Sequence, residues 1–455
     1  MLAPVLALFP RGALLLSVLT FGGYLMGLAR DRTFARTFGA GSDLDAYNAA
    51  LVLPELTLSI LVVSGLTAAF VPVFTSARRA DPEAAEGFSR TVLTGAILVM
   101  AIAVLVLFAI APATVGFIAP GFDDHQRRLY TELFRVMCLS SLIFAASFAL
   151  GEMLVSRQRF LSYGLAPLLY NGGIVGGAIL LSSRIGIYGA AVGTLVGALL
   201  HLGVRVVEAR RVGIRFRPKL GVRSPAFREY LRLSLPKMLS QPIEPLTFLF
   251  FTSVASTLVA GSVSVVSFAR NFQSVPVSLI GVAFSVAAFP VLSAAAATGD
   301  RARYIRMVVT NLMTITLLTS GAAIVLYLVR SQVVTQFLGG EAFSPENVAT
   351  TSLVIGAFAL SIPLESLTHL LSRAIFATHN TILPVIASIS GLIVTVATVE
   401  LLVPTRGVVA LPLGFTAGQG VKVLILAAAA IIRTRTVRAP LEPAGEVSAP
   451  ADSGG

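Results

Sequence analysis

The chain has 455 residues, of which 56% are hydrophobic and only 12% charged, with a mean hydropathy of +0.87. A soluble domain carries about 25% charged residues, so half that share excludes the ordinary globular and disordered classes and leaves a polytopic membrane protein. The net charge of +12 does not point to nucleic acid, because the basic residues lie in short loops between apolar spans and no basic, aromatic-interleaved soluble segment exists. A single cysteine, Cys138, excludes an intramolecular disulfide framework. Tryptophan is absent, so an interfacial aromatic belt rests on Tyr130, Tyr163, Tyr188, Tyr230 and Tyr304 near the ends of the apolar runs.

The N-terminal apolar run is interrupted by Pro10-Arg11 and does not read as a removable signal peptide. Crossing the hydrocarbon core takes about 20 apolar residues. On that ruler the chain divides into twelve helices at 12–29, 44–75, 91–112, 129–154, 161–182, 185–207, 227–257, 262–297, 305–329, 347–372, 381–403 and 408–432. The second and eighth exceed one straight span, and each holds prolines that bend or break it: Pro54 and Pro72, Pro276 and Pro290. Bending or unwinding is expected near Pro54, Pro242 and Pro276. Helices five and six carry glycines four apart, Gly172/Gly176, Gly173/Gly177 and Gly189/Gly193/Gly197, which let helix backbones approach closely.

With the N-terminus inside, the inner loops hold twenty Lys/Arg and the outer loops eight. The positive-inside rule then places both termini in the cytoplasm. Seven of the twenty (Arg210, Arg211, Arg215, Arg217, Lys219, Arg223, Arg228) fall in, or just past the end of, one connection that divides the chain into two sets of six helices. The two sets echo each other: Ala40-Gly41-Ser42 returns as Ala260-Gly261-Ser262, and Ala68-Ala69-Phe70-Val71-Pro72-Val73 as Ala287-Ala288-Phe289-Pro290-Val291. This pattern predicts a pseudo-two-fold parallel repeat about the membrane normal. The domains are thus a six-helix bundle at 1–207, a basic cytoplasmic loop at 208–226, a second bundle at 227–438 and a disordered Pro/Ala/Gly-rich acidic tail at 439–455.

Positions 3, 4 and 7 apart share a helix face, and several apolar helices line up their polar residues this way. The second has Asp45, Asn48, Glu55 and Ser59; the seventh Lys237, Ser240, Gln241 and Glu244; the eighth Ser267, Arg270, Asn271 and Ser274; the tenth Glu365, Thr368, His369 and Ser372. Arg30 shares a face of the first helix with Gly23 and Gly27. One reading is hydrogen bonding between helices at about 0.6–2 kcal/mol each. The other is a polar cavity, since a charge at the bilayer centre costs at least about 2.5–3.5 kcal/mol and so marks a function. The cavity set is Arg30, Asp45, Asn48, Glu55, Ser59, Lys237, Gln241, Glu244, Arg270, Asn271, Ser274, Glu365 and His369. No P-loop, H-E-x-x-H, G-x-S-x-G or Cys/His cluster occurs, so the expectation is a transporter, not an enzyme, with neither cofactor nor metal. Its driving force is then the membrane potential, a Na+ or H+ gradient, or product withdrawal.

The stretch from Ala29 to Val73 resembles the MurJ/MviN family of the multidrug/oligosaccharidyl-lipid/polysaccharide exporter superfamily. The matching pieces are Gly27-x-x-Arg30-Asp31, Phe38-Gly39-Ala40-Gly41, Asp45-Ala46-Tyr47, Leu53-Pro54 and Ala69-Phe70-Val71-Pro72-Val73. The resemblance implies an all-α fold of two six-helix bundles in a V around a cationic cavity that alternates between the two membrane faces. It also implies a substrate, lipid II, in which a disaccharide-pentapeptide is linked through pyrophosphate to a polyprenyl chain. The remaining partners are the lipids of a bacterial cytoplasmic membrane.

Arg30 and Asp45 fall on family motif positions. Elsewhere the chain departs. Family arginines are replaced by Phe21-Gly22-Gly23-Tyr24 in the first helix and by Glu55-Leu56-Thr57-Leu58-Ser59 in the second. An Ala-Asp-Arg pattern becomes Ala269-Arg270-Asn271, and twelve helices stand where many members have fourteen. The leading expectation is a flippase for a polyprenyl-pyrophosphate glycan. A drug or cation antiporter on the same scaffold, with Glu55, Glu244 and Glu365 as its acidic sites, is the alternative, followed by a non-transporting scaffold.

Overall fold

The structure is a computed structural model that describes residues 11–214, 216–240 and 243–434. Arg215, Gln241, Pro242 and the tail at 439–455 lie outside the described residues. Every regular element among the described residues is helical. The chain is an all-α polytopic membrane protein. Nine continuous helical stretches among the described residues are long and apolar enough to cross a membrane.

Helix α1 spans Arg11–Phe38, nine residues beyond the expected end, so Arg30 and Asp31 lie inside it and do not close it. Nothing from Arg32 to Phe38 breaks a helix. Phe34 gains edge contacts with Phe38 and Tyr47 at 5.8 and 5.2 Å between ring centroids, which favours the extra turns. The stop comes at Gly39, whose φ of +67° is the left-handed cap that ends helices cheaply only at glycine.

Helix α2, Ser42–Leu58, continues through Pro54 without unwinding. The change of geometry falls later, in π-helical turns at Ser59–Val63 and Leu66–Phe70 before α3, Val71–Ala80. There the Ser64 hydroxyl donates to the Ser59 carbonyl at 2.6 Å, satisfying an acceptor that the widened turn loosens.

The next four helices are α4 (Pro82–Ile118), α5 (Asp124–Val155), α6 (Leu161–Ile185) and α7 (Tyr188–Arg211). Asp81 caps α4 by accepting from the Glu83 N–H at 2.8 Å, with Pro82 at the first helical position. Asp123 and Gln126 form a reciprocal capping box at the start of α5.

Helices α8 (Pro225–Ser240) and α9 (Ile243–Ser256) flank the undescribed Gln241-Pro242 pair. Then come α10 (Ser262–Pro276), a π turn at Val277–Val282 starting directly after Pro276 as expected, and α11 (Ala283–Ala297). The chain continues as α12 (Arg301–Phe337), α13 (Pro345–Ala359), α14 (Ser361–Ala377), α15 (Ile382–Arg406) and α16 (Ala410–Thr434).

The chain forms two compact units, Met1–Gln273 with Leu326–Phe358 and Val396–Gly414, and Ser274–Val325 with Ala359–Thr395 and Phe415–Gly455. In the first, α6 and α7 meet along their glycines: a Cβ on Gly177 would lie 2.5 Å from the Gly193 Cα, so no larger residue fits without separating the helices. The Tyr47 and Thr194 hydroxyls join α2 to α7 at 2.6 Å. Arg32 donates to the Gln336 and Phe337 carbonyls at 3.0 and 3.2 Å, placing a cation on the C-terminal end of α12. The connection between α7 and α8 is tied to α4, the Lys219 and Gly221 N–H groups donating to Thr94 and Thr91 at 3.2 and 3.1 Å.

The second unit is built on two apolar clusters. One joins Leu292, Tyr304, Ile315, Leu370 and Ala374; the other joins Leu371, Ile375, Ala387 and Leu426. The Tyr304 hydroxyl donates to the Ala374 carbonyl at 2.7 Å, and Arg433 closes the end of α14 through Thr378 Oγ1 and O at 3.1 and 2.7 Å.

Candidate functional site: a charged cavity in the first unit

A cavity of about 310 Å³ opens among α1, α2, α6, α9 and α10 of the first unit. Each helix is apolar over most of its length and delivers one to three polar side chains to this space, Thr252 from α9 among them. Arg30 and Asp31 come from α1, Tyr47, Asn48 and Glu55 from α2, Tyr170 from α6, and Ser267, Arg270 and Asn271 from α10.

The Arg30 guanidinium donates through Nε and Nη2 to Asp31 Oδ1 at 3.1 and 2.8 Å, and through Nη1 to Asn171 Oδ1 at 3.3 Å. Asp31 is almost fully enclosed, while the Arg30 side chain keeps 26% of its surface open. The other carboxylate oxygen, Asp31 Oδ2, accepts from Asn271 Nδ2 at 2.8 Å, linking α1 to α10. Arg270 pairs with Glu244 at 3.1 Å, bonds Gln273, and lies 4.8 Å from the Phe248 ring centroid. Asn48 donates to the Ser264 hydroxyl at 3.2 Å.

Asp45 does something else. It is 2% exposed and does not line the cavity. Its Oδ2 accepts from the Gly261 N–H at 2.6 Å, and its Oδ1 accepts from the Ser264 N–H and hydroxyl at 2.7 and 2.6 Å. A carboxylate is thereby fixed on the N-terminal end of α10, where free N–H groups and the helix dipole favour an anion. Gly261, with φ of +94°, packs against the Ala40 carbonyl so closely that no Cβ fits. The two elbows that repeat in sequence, Ala40-Gly41-Ser42 and Ala260-Gly261-Ser262, thus meet at Asp45.

Of the sequence-derived set, Arg30, Asn48, Glu55, Arg270 and Asn271 line the cavity, and Glu244 reaches it through Arg270. Ser59 lies one turn past Glu55 at the start of the π segment, where its carbonyl accepts from Ser64. Lys237 is half-buried on α8, and Gln241 lies outside the described residues. Ser274, buried Glu365 and half-buried His369 belong to the second unit. Tyr47, Tyr170 and Asn171 fall outside that set. An asparagine set between Tyr170 and Gly172 in an apolar helix is the signal that points to that wall of the cavity.

The described lining is charge-balanced: Arg30 and Arg270 against Asp31 and Glu55. The arginines offer forked donors to an anion, but each already rests on a carboxylate, so an incoming phosphate must exchange with Asp31 or Glu244. The cavity volume is at the low end of the range for drug-sized ligands, about 300–1,000 Å³.

The family model described as lipid II flippase MurJ matches residues 34–440. The probable lipid II flippase MurJ of Borreliella burgdorferi is 25% identical over 384 residues, covering 84% of this chain and 76% of that protein. The lipid II flippase MurJ of Burkholderia cenocepacia is 24% identical over 427 residues, covering 91% and 82%. Among solved structures, lipid II flippase MurJ in an inward closed conformation superposes with a TM-score of 0.81 at 21% identity, covering 93% of this chain and 90% of that one. An inward-facing multidrug resistance MATE family transporter of the MOP superfamily follows the same fold with a TM-score of 0.76 at 17% identity, covering 91% and 95%. With a family match over most of its length and the same helical fold, this chain belongs to the lipid II flippase MurJ family.

Proposed function

We propose that this chain translocates lipid II across the cytoplasmic membrane of a bacterium for peptidoglycan synthesis, both termini lying in the cytoplasm. The observation that carries the reading is the family match over residues 34–440, joined to a cavity that holds Arg30 and Arg270. Pyrophosphate is the anion that two arginine forks suit, and a polyprenyl tail needs no site in the apolar core because lipid already solvates it. The headgroup enters from one side, exchanges with Asp31 and Glu244 for the guanidinium groups, and leaves by the other after the outer contacts at Asp45 and Asn271 open. The π turns after Ser59 and Pro276 supply the bends for such alternation. Exporting about two negative charges against an inside-negative potential releases about 2.3 kcal/mol per charge per 100 mV, enough to give direction without a nucleotide.

Rescue of growth tests the reading. A host depleted of its own lipid II flippase should grow when this chain is expressed and should lyse when Arg30→Ala replaces it. Failure of the unaltered chain to rescue, at matched membrane expression, overturns the assignment.

A further inference from the structure

Glu55 lines the cavity from α2 and is exposed to its open volume, yet among the described residues it makes no hydrogen bond and no ion pair. Every other acid near the cavity is committed. Asp31 holds Arg30 and Asn271, Glu244 holds Arg270, and both oxygens of Asp45 are spent on α10. Glu55 stands seven residues from Asn48, two helical turns along the same face, and shares the cavity lining with the rings of Tyr47 and Tyr170. A carboxylate kept at membrane depth with only the longer-range attraction of Arg30, and no hydrogen bond or ion pair, is costly, and the lowest-cost remedy is a cation that arrives with the substrate. Aromatic walls beside it favour a compact ammonium further.

We infer that Glu55 is the cavity's subsite for an ammonium group of the substrate, a free side-chain amine on the peptide of the lipid-linked headgroup. This rests on the flippase reading above. The arginines then recognise the pyrophosphate end and Glu55 the peptide end of one molecule. The charge balance of the cavity follows, since the substrate carries both signs.

Transport in proteoliposomes of two lipid II preparations tests this, one with the peptide side-chain amine free and one with that amine acetylated. The unaltered protein should move the free-amine lipid about tenfold faster at limiting substrate, equivalent to about 1.4 kcal/mol. In Glu55→Gln that ratio should fall to near one, whereas Glu55→Asp should keep most of it. Equal rates for the two lipids in the unaltered protein overturn the inference. So does loss of both lipids' transport in Glu55→Gln, which would assign the residue to a coupling ion. If the unaltered protein moves neither lipid, the flippase reading itself fails, and the subsite with it.

Discussion

The Asp45 carboxylate accepts both the backbone N–H and the hydroxyl of Ser264, at 2.7 and 2.6 Å. A third bond, from Gly261, completes the cap on α10. The aspartate of the family motif therefore fastens the two repeat-related elbows together.

Removing that cap has a definite cost. Asp45→Asn leaves an amide NH2 facing N–H donors and should lower stability by about 1–3 kcal/mol, the penalty for an unsatisfied buried polar group. Ser264→Ala removes one donor but leaves the carboxylate on two backbone N–H groups, so it should cost about 0.5–1.5 kcal/mol. Thermal unfolding in detergent measures both. An Asp45→Asn protein as stable as the parent would show that the cap does not hold this state.

Orientation is tested by labelling. Cys138 is buried and free, so its replacement gives a background without reactive thiols. Val222→Cys, exposed in the basic connection, should react with a membrane-impermeant maleimide only after the membrane is opened. Arg184→Cys, exposed at the end of α6, should react from outside in intact cells. The reverse pattern would invert the protein and the direction of export.

The sequence showed an all-helical membrane chain and which faces carry polar groups, because membrane length and the cost of buried charge leave few alternatives. Most of each expected apolar stretch is helical among the described residues, but turns interrupt 185–207 at Gly186-Ile187 and 347–372 at Leu360. It showed only in part where the helices change geometry: the π turn after Pro276 falls where a proline was expected to disturb the helix. Pro54 draws attention as a breaker but is accommodated, while the π turn at Ser59–Val63 has no residue that announces it. The end of α1 depends on Gly39 and on contacts of Phe34, not on the Arg30-Asp31 pair that hydropathy marks as a boundary. Pairing was the least legible feature. Asp31 meets Asn271 across 240 residues, and Asp45 meets Ser264 across 219, so helical periodicity cannot separate a cavity charge from a helix cap.

The glycine seam between α6 and α7 predicts opposite effects of one substitution at neighbouring sites. A Cβ at Gly193 would lie 2.7 Å from the Gly173 carbonyl oxygen, so Gly193→Ala should separate the helices and disturb the Tyr47–Thr194 bond. A Cβ at Gly176 meets nothing within 4 Å, and Gly176→Ala should stabilise by up to about 1 kcal/mol through helix propensity. Fluorescence-detected size exclusion after heating ranks the two. Equal tolerance of both would mean the seam is looser than its distances.

The cavity arginine gives the sharpest functional prediction. Arg30→Ala removes a phosphate contact but also strips Asp31, 3% exposed, of its ion-pair partner, and breaking a buried pair costs about 3–5 kcal/mol. Transport and folding must therefore be read separately. The double variant Arg30→Ala/Asp31→Asn should recover most of the stability, since Asn271 can still bond the remaining carbonyl, and should stay defective in lipid export. Arg30→Lys keeps the charge and loses the fork, so its export should fall between the parent and Arg30→Ala. Glu55→Gln should be milder than either arginine variant, because it loses only the ammonium contact while the arginines keep their phosphate. A cation antiporter requires the reverse order, with Glu55→Gln inactive and Arg30→Ala nearly intact. Proteoliposome export of lipid II by these four variants, normalised to folded protein, decides between the two orders.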